Sequence, residues 1–254
     1  GGSDLTAVAL AKELNAQSCE IYTDVEGIYT TAPRIEPRAK KIKKITYDEM
    51  LEMASLGAQV MQARSIEVAK KFNVPLHVRS SFNKNSGTMI IKEVKNMEDV
   101  VVNGVTLNKN QAKITLCQVP DKPGVAVKLF KNLAVAGLSV DMIVQNVSHT
   151  RQTDISFTVA KTDSAKASRI TKAVAKKIGA GEVLLDEDIA RVSIVGVGMK
   201  SHHGVAAKMF GILAESEINI EMISTSDISI SCIIKKKNAE IAVKKLHEEF
   251  GLNK

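Results

Sequence analysis

The chain has 254 residues, 44% of them apolar and 25% charged, a composition typical of a folded protein with room for more than one core. We expect no transmembrane helix, because no run of eighteen or more apolar residues is present, and no basic-then-apolar secretory leader is seen. The net charge is +7, but the lysine-rich stretches 38–44 and 235–237 lack interleaved aromatic residues and the chain has no tryptophan, so a solvated basic face is favoured over a nucleic-acid site.

The three cysteines, Cys19, Cys117 and Cys232, lie far apart in apolar runs and show no C-x-x-C spacing. We therefore predict buried free thiols in a reducing cytoplasm rather than disulfides or metal ligands. The neighbours His202 and His203 face different ways in most backbones, so no metal site is predicted there either.

The chain opens on Gly1-Gly2-Ser3-Asp4, followed by a helical apolar pattern from Leu5 to Leu14. Ser3 and Asp4 are common N-cap residues, while glycines before a helix N-terminus also suit an anion, so capping and an active-site role both stay open. Because the chain does not begin with Met, we interpret this start as the middle of a motif in a longer protein whose N-terminal part is missing.

An apolar strand over 18–24 ends on Thr23 and Asp24 and runs into an irregular segment. Ligands of open α/β sheets bind where strands end in this way, although Asp24 and Gly27 are also ordinary turn residues.

Thr46-Tyr47-Asp48-Glu49 has the S/T-x-x-E pattern of a capping box and predicts a helix start. A second helix is predicted from about 58 to 72, then strands over 74–79 and 87–91, and this alternation indicates a mostly parallel sheet covered by helices. His77 alternates with apolar neighbours, so we expect it to be packed rather than catalytic.

An internal repeat occupies the rest of the chain. The run at 124–130, Gly-Val-Ala-Val-Lys-Leu-Phe, returns at 204–210 as Gly-Val-Ala-Ala-Lys-Met-Phe, and 138–143 returns at 218–223. The first copy reads βαββαβ, the ferredoxin-like order, and the second lacks its last strand, which the segment 100–108 could supply.

The motifs at 1–7, 20–30, 64–65 and 78–81 resemble aspartate kinase, and the tandem repeats resemble its ACT domains, which bind amino acids at their mutual interface. The resemblance implies an α/β fold class: the C-terminal portion of an amino acid kinase fold followed by two ferredoxin-like (βαββαβ) ACT domains. The implied domains are residues 1–95, 113–187, and 188–254 completed by 100–109.

By the same resemblance, Ser3 contacts L-aspartate and Asp4 organises the catalytic lysines. ATP, the co-substrate with Mg²⁺, implies a further set of nucleotide-binding residues: Thr23, Asp24, Tyr29, Thr30, Thr31, Ala32, Pro33 and Arg34. Phosphoryl transfer depends on positioning and on charge stabilisation, which suits a helix N-terminus and the guanidinium of Arg34.

The sequence departs from the family in three respects. It contains no Lys-Phe/Tyr-Gly-Gly motif with the phosphate-binding lysine, Ala32 replaces a frequent Asp, and Gln59 stands where some members carry Lys. We therefore predict that this polypeptide transfers no phosphate by itself.

The effector site predicted from the repeat lies around Asp121-Lys122-Pro123-Gly124. A helix N-terminus suits a carboxylate and Asp121 or Asp141 suits an ammonium, and a free amino acid has one of each; plain turn chemistry is the alternative. The implied effector residues are Asp121, Lys122, Pro123, Gly124, Val125, Ala126, Ser139, Val140, Asp141 and Gln145 in one copy, and Val205, Ala206, Asn219, Ile220, Thr225, Ser226 and Asp227 in the other. Ala206 and His203 depart from the family pattern.

The leading hypothesis is the C-terminal part of an aspartate kinase, the first enzyme of lysine, threonine and methionine biosynthesis, inhibited by lysine and/or threonine through a population shift. The alternative is a non-catalytic amino-acid-sensing regulatory subunit. We expect a cytoplasmic protein without nucleic-acid or membrane partners, which forms oligomers through the apolar strands that carry Met142 and Met222.

Overall fold

The computed structural model describes residues 2–58, 60–94, 101–146 and 151–254. Gln59 and the predicted linker residues 95–100 lie outside this description. The described chain divides into two compact units, one formed by 1–108, 192–232 and 238–254, the other by 109–191 and 233–237.

The N-terminal part forms a mixed four-stranded sheet with three helices. Its elements are α1 (Ser3–Glu13), β1 (Cys19–Thr23), β2 (Lys44–Thr46), α2 (Tyr47–Ser55), α3 (Ala63–Phe72), β3 (Leu76–Ser80) and β4 (Thr88–Ile91). The strand order is β1-β3-β4-β2, with β1 parallel to β3 and β2 parallel to β4. β3 and β4 are antiparallel, because residues 81–87 make a connection too short for a parallel crossover.

The core of this part is apolar and contains both α2 methionines. Met50 is 0% and Met53 2% exposed, and they pack with Ile45, Ile66 and Ile90. The predicted capping box is confirmed: the Thr46 hydroxyl accepts from the Glu49 N–H, and the Glu49 carboxylate accepts from the Thr46 N–H.

Helix α3 begins at Ala63, later than the predicted start near 58. Gly57 has φ +121° and the Ala58 N–H bonds back to the Met53 carbonyl, which closes the end of α2. The next helix therefore begins only after Gln62, whose extended backbone makes it the N-cap.

The first repeat is a complete antiparallel βαββαβ unit with strand order β7-β8-β6-β9. Its elements are β6 (Gln111–Pro120), α4 (Val125–Val135), β7 (Val140–Gln145), β8 (Gln152–Ala160), α5 (Ser164–Ile178) and β9 (Val183–Asp186). Leu129 and Leu133 of α4 and Phe157 of β8 are fully buried in its core.

The second repeat has strand order β11-β12-β10-β5, so an edge strand from an earlier part of the chain completes its sheet. Its elements are β5 (Gly104–Asn108), β10 (Ile189–Val195), α6 (Val205–Glu215), β11 (Met222–Thr225), β12 (Ser229–Lys235) and α7 (Ala239–Glu249). Among the residues described, no helix is long and apolar enough to cross a membrane.

The sequence repeat is also a repeat of backbone geometry. Helices α4 and α6 have 11 residues each and are preceded by Gly124 at φ +88° and Gly204 at φ +85°. After each helix, Gly137 and Glu217 adopt positive φ values of +72° and +55°. The glycine before each helix is therefore required by its left-handed backbone, which side-chain-bearing residues rarely adopt.

Candidate functional site

A pocket of about 300 Å³ lies at the N-terminus of α6 in the second repeat. This volume is at the lower end of natural ligand sites. The residues that line it are Met199, His202, His203, Gly204, Val205, Ala206, Thr225, Ser226, Asp227 and Ile230. Five of the predicted effector residues are among them, namely Val205, Ala206, Thr225, Ser226 and Asp227, whereas Asn219 and Ile220 are not.

The start of α6 gives the pocket a wall of hydrogen-bond donors. Gly204 is the N-cap, and no side chain caps the helix, so the first N–H groups, including those of Val205 and Ala206, have no partner within the helix. The positive end of the helix dipole lies at the same place. This wall suits a carboxylate.

The end of β11 and the loop before β12 also line the pocket, where Asp227 adds a negative charge and Thr225 and Ser226 add hydroxyl groups. A carboxylate and hydroxyl oxygens suit an ammonium group. The pocket therefore presents both donors and acceptors, as a zwitterionic amino acid requires.

Two histidines lie at the pocket but do not form a metal cluster. The Nδ1 of His202 is 2.8 Å from the Gly198 carbonyl oxygen, which can only accept, so Nδ1 is the donor. Among the described residues, no group of three or more His, Cys, Asp or Glu side chains is arranged to hold a metal ion.

The corresponding loop of the first repeat is exposed from Asp121 to Gly124, and the Asp121 N–H donates to the Arg151 carbonyl at 3.0 Å. Val125 is buried and Ala126 half-buried at the start of α4, while Lys122 and Pro123 are exposed.

Asp141 of β7 is already engaged by one protein cation and one side-chain amide. Its carboxylate accepts from Arg191, whose side chain is 3% exposed, and from Gln111. The sequence did not indicate Arg191 as a partner, because it lies in a strand of apolar appearance at the start of the second copy. Of the remaining first-copy residues, Ser139 and Gln145 are exposed and Val140 is half-buried.

Ser3 and Asp4, the residues predicted to act on the substrate aspartate, lie in the first turn of α1. Its N-cap is Gly2 without a side-chain cap, so the interpretation of Ser3 or Asp4 as the N-cap is wrong. Ser3 Oγ is 3.4 Å from Asp4 Oδ1. Burial, with a smaller contribution from the charge of Asp4, raises the pKa of the Cys19 thiol, which places Asp4 near the start of β1.

Thr23 and Asp24 lie at the carboxyl end of β1. The Thr23 hydroxyl donates to Asp24 Oδ1 at 3.0 Å, and the Asp24 side chain is exposed. His77, on the neighbouring strand β3, is partly buried with Nδ1 3.4 Å from Glu20 Oε1.

We call residues 29–34 the nucleotide loop, after the predicted role. Thr30 and Thr31 are only 9% and 5% exposed, Tyr29 and Ala32 are half-buried, and Pro33 and Arg34 are exposed. Within this loop Pro33 and Arg34 are therefore the residues most open to a ligand, whereas the threonines hold the loop in place.

Thr30 is fixed by contacts from three directions. The Lys40 N–H donates to its hydroxyl at 3.0 Å, the Val105 N–H of β5 donates to its carbonyl at 2.7 Å, and its hydroxyl lies 2.8 Å from Nε2 of His247. His247 lies four residues after Val243 on the buried face of α7. This helical spacing is the sequence signal that could have predicted its burial.

His247 is fully buried, and burial lowers the pKa of its imidazole. The nearby Glu36 acts in the opposite direction and Arg38 in the same one. Arg38 in turn holds the pKa of Glu36 below its ordinary value by donating to its carboxylate. The contact with Thr30 is thus made by a neutral histidine.

Burial also raises the pKa of all three cysteine thiols, to about 12 for Cys232. Cys19 and Cys232 are buried free cysteines as predicted, but Cys117 is only half-buried.

Two family models match this chain. The ACT domain model matches residues 118–174 and 192–250, and the amino acid kinase family model matches residues 1–80. An aspartate kinase of Pseudomonas putida is 52% identical over 254 residues, covering 100% of this chain and 62% of the relative.

Solved structures show the same similarity. The ligand-free regulatory subunit of aspartate kinase from Thermus thermophilus is 44% identical, with 59% of this chain and 99% of that subunit covered and a TM-score of 0.57. The chain belongs to the aspartate kinase family. Aspartokinase III of Escherichia coli, at 31% identity, gives a TM-score of 0.82 for its R-state with aspartate and ADP, covering 98% of this chain and 56% of that one. The T-state of the same enzyme, with lysine and aspartate, gives a TM-score of 0.79, and the match covers 99% of this chain and 56% of that one.

Membership of the aspartate kinase family confirms the predicted fold class, an amino acid kinase portion followed by two ACT domains. The chain spans 62% of the length of its P. putida relative.

Proposed function

We propose that the chain is the C-terminal part of an aspartate kinase, in which ACT domains that bind an amino acid control ATP-dependent phosphorylation of the L-aspartate side chain. The observation that carries this proposal is the pocket at the start of α6, whose lining includes the repeated residues Gly204, Val205 and Ala206. The proposed effectors are lysine and/or threonine, and E. coli aspartokinase III has been solved with lysine.

In the proposed effector site, the N–H groups at the start of α6 bind the carboxylate, and Asp227 with the hydroxyl groups of Thr225 and Ser226 binds the ammonium. The equivalent start of α4 has the same backbone geometry and is proposed as the second carboxylate site. Effector binding to one arrangement better than to the other would shift the population toward the inhibited state.

In the proposed kinase site, Ser3 contacts L-aspartate, Asp4 organises the catalytic lysines, and Asp24 and Arg34 contact the nucleotide. E. coli aspartokinase III has been solved with aspartate and ADP, which supports these substrates. Mg²⁺ prefers phosphate and water oxygens with one or two carboxylates, so we propose that it enters with ATP. That the 254-residue polypeptide has no activity by itself stays a prediction, as does a cytoplasmic location.

Calorimetric titration with L-threonine and L-lysine, separately and together, tests the effector site. We expect saturable binding of at least one, weakened about tenfold or more by Asp227→Asn, because a charge-assisted contact to the ammonium is lost. Glu215→Gln, at the exposed C-terminal end of the same helix, is the charge-matched control and should bind like the wild type. No heat from either amino acid would remove the effector proposal.

The second candidate is an amino-acid-sensing regulatory subunit without catalysis. The observation that favours it is the coverage of 99% of the T. thermophilus regulatory subunit. Aspartate-dependent ADP release separates the two: activity that depends on Asp4 in a longer protein with this chain supports the kinase, and amino-acid binding without such activity supports the sensor.

A further inference from the structure

Two carboxylates on α2 reach into the second ACT repeat. Glu49 and Glu52 are three residues apart and therefore lie on one face of the helix. Glu49 is 0% exposed, and its Oε1 accepts from the Asn103 side-chain amide at 2.5 Å and from the Val197 N–H at 3.1 Å. Val197 begins the short 3-10 helix, Val197–Lys200, that brings Met199 to the pocket.

Glu52 holds the opposite side of the same pocket. Its Oε1 lies 2.5 Å from the Ser229 hydroxyl and 3.2 Å from the Ser226 hydroxyl, and these two hydroxyl groups are 2.9 Å apart. Ser226 lines the pocket, and its N–H donates to the Ser229 carbonyl at 2.9 Å. From one helix, the two carboxylates thus hold the segment that carries Met199 and the loop that carries Ser226.

The acceptor oxygen of Glu52 determines where the serine hydrogens point. An ionised carboxylate only accepts, so the Ser229 hydrogen points to Glu52 and the Ser226 hydrogen points to Glu52 or to Ser229. The Ser226 oxygen also accepts from the Ile228 N–H at 3.3 Å, so one lone pair is left that can accept from an ammonium, and the hydroxyl hydrogen is not available to a carboxylate.

Helix α2 and the nucleotide loop both pack against Gly104 of β5. A Cβ placed on Gly104 of β5 would lie 2.9 Å from Met53 Cε and 3.2 Å from the Thr30 carbonyl oxygen, so the three residues are packed together. The Thr30 carbonyl also accepts from the Val105 N–H of β5, so β5 links α2 to the nucleotide loop.

We propose that Glu52 is a positioning residue that fixes the orientation of the amino acid in the pocket, with its ammonium toward Ser226 and its carboxylate toward α6. This inference rests on the proposed function, because it takes the pocket as an amino-acid site. It adds that binding of the amino acid in the pocket affects the nucleotide loop through α2.

The test compares amino acids with analogues that lack the α-ammonium group. Calorimetry measures the binding of L-threonine and 3-hydroxybutyrate, or of L-lysine and 6-aminohexanoate, to the wild type, Glu52→Ala, Glu52→Gln and Ser226→Ala. We expect Glu52→Ala and Ser226→Ala to weaken amino-acid binding about tenfold and analogue binding much less, since only the ammonium contact is lost. Glu52→Gln keeps an acceptor oxygen and should restore most of the preference.

Hydrogen exchange supplies a second readout in the same samples. Ligand should slow exchange in residues 47–55 and 29–34 of the wild type and of the control Glu67→Ala, an exposed glutamate on α3, but not of Glu52→Ala. Equal weakening of amino acid and analogue, or an unchanged affinity in both alanine variants, would overturn the inference alone. The absence of any amino-acid binding to the wild type would overturn the proposed function with it.

Discussion

The contact between Thr30 and His247 joins the nucleotide loop to the last helix of the chain by one hydrogen bond of 2.8 Å. It depends on an uncharged imidazole, because protonation would place a cation in a fully buried position next to Arg38. This single contact therefore predicts that the stability of the protein depends on pH.

The free energy of unfolding should decrease as the pH falls from 7 to 5. The unfolded histidine binds a proton near its ordinary pKa of 6.5, whereas the folded one binds it only at lower pH, so protons favour the unfolded state in this window. One such group contributes a slope of up to about 1.4 kcal/mol per pH unit.

Chemical denaturation at several pH values, with His247→Gln as the comparison, measures this slope. Gln keeps a hydrogen-bonding group near Thr30 but does not titrate, so its stability should depend less on pH between 5 and 7. Arg38 lowers the pKa of Glu36 below its ordinary value of 4.5. Protonation of Glu36 therefore changes the stability only below this value and not between pH 5 and 7. Parallel curves for the two proteins would show that His247 is not the group responsible.

At the scale of elements, the start of α6 offers a matched pair of glycines. Gly204 has φ +85°, whereas Gly211 lies inside α6, and a Cβ at either position would meet nothing within 4 Å. Gly204→Ala should lower stability by about 1–2 kcal/mol through backbone strain alone. Gly211→Ala should raise it by about 0.5–1 kcal/mol, because Ala loses less entropy in a helix. Thermal unfolding measures both, and a neutral Gly204→Ala would contradict the left-handed turn.

The sequence predicts those elements whose signal is local. The capping box at Thr46 and the paired glycine turns involve residues close in the chain, and both are present. The predicted start of α3 was wrong because Gly57, at positive φ, and the bond from the Ala58 N–H to the Met53 carbonyl extend the turn after α2. The spacing of apolar residues does not reveal such a turn.

Contacts between distant residues could not be predicted in this way. His247 and Thr30 are 217 positions apart, and Glu52 and Ser226 are 174 apart, so neither pair leaves a local pattern. The sequence could indicate the wall of the pocket through the repeat, but not the carboxylate that holds it. The predicted site residues themselves stay a prediction.

At the scale of the whole molecule, we predict association through the outer strands of the repeats. β7 and β11 are edge strands of their sheets, and Met142 and Met222 point inward at 4% and 6% exposure. The residues that face outward on these strands are Ile143 at 52% and Ile223 at 42% exposure. Exposed apolar edges of this kind favour pairing with another copy.

Sedimentation velocity at micromolar concentrations should show a dimer or larger species for the wild type. Ile143→Glu or Ile223→Glu should shift it toward the monomer, because a charge on the pairing strand must be desolvated. Ile241→Glu, at an exposed position on α7, should leave the distribution unchanged. A wild type that sediments only as a monomer would contradict this prediction.

The central claim is that the start of α6 binds the carboxylate of a free amino acid. Backbone amide NMR spectra, recorded during titration with L-threonine and L-lysine, test it most directly. The account predicts saturable shifts at Val205 and Ala206, with further shifts at Ser226, which also lines the pocket. Saturable binding that leaves these amides unmoved would place the amino acid elsewhere and contradict the claim.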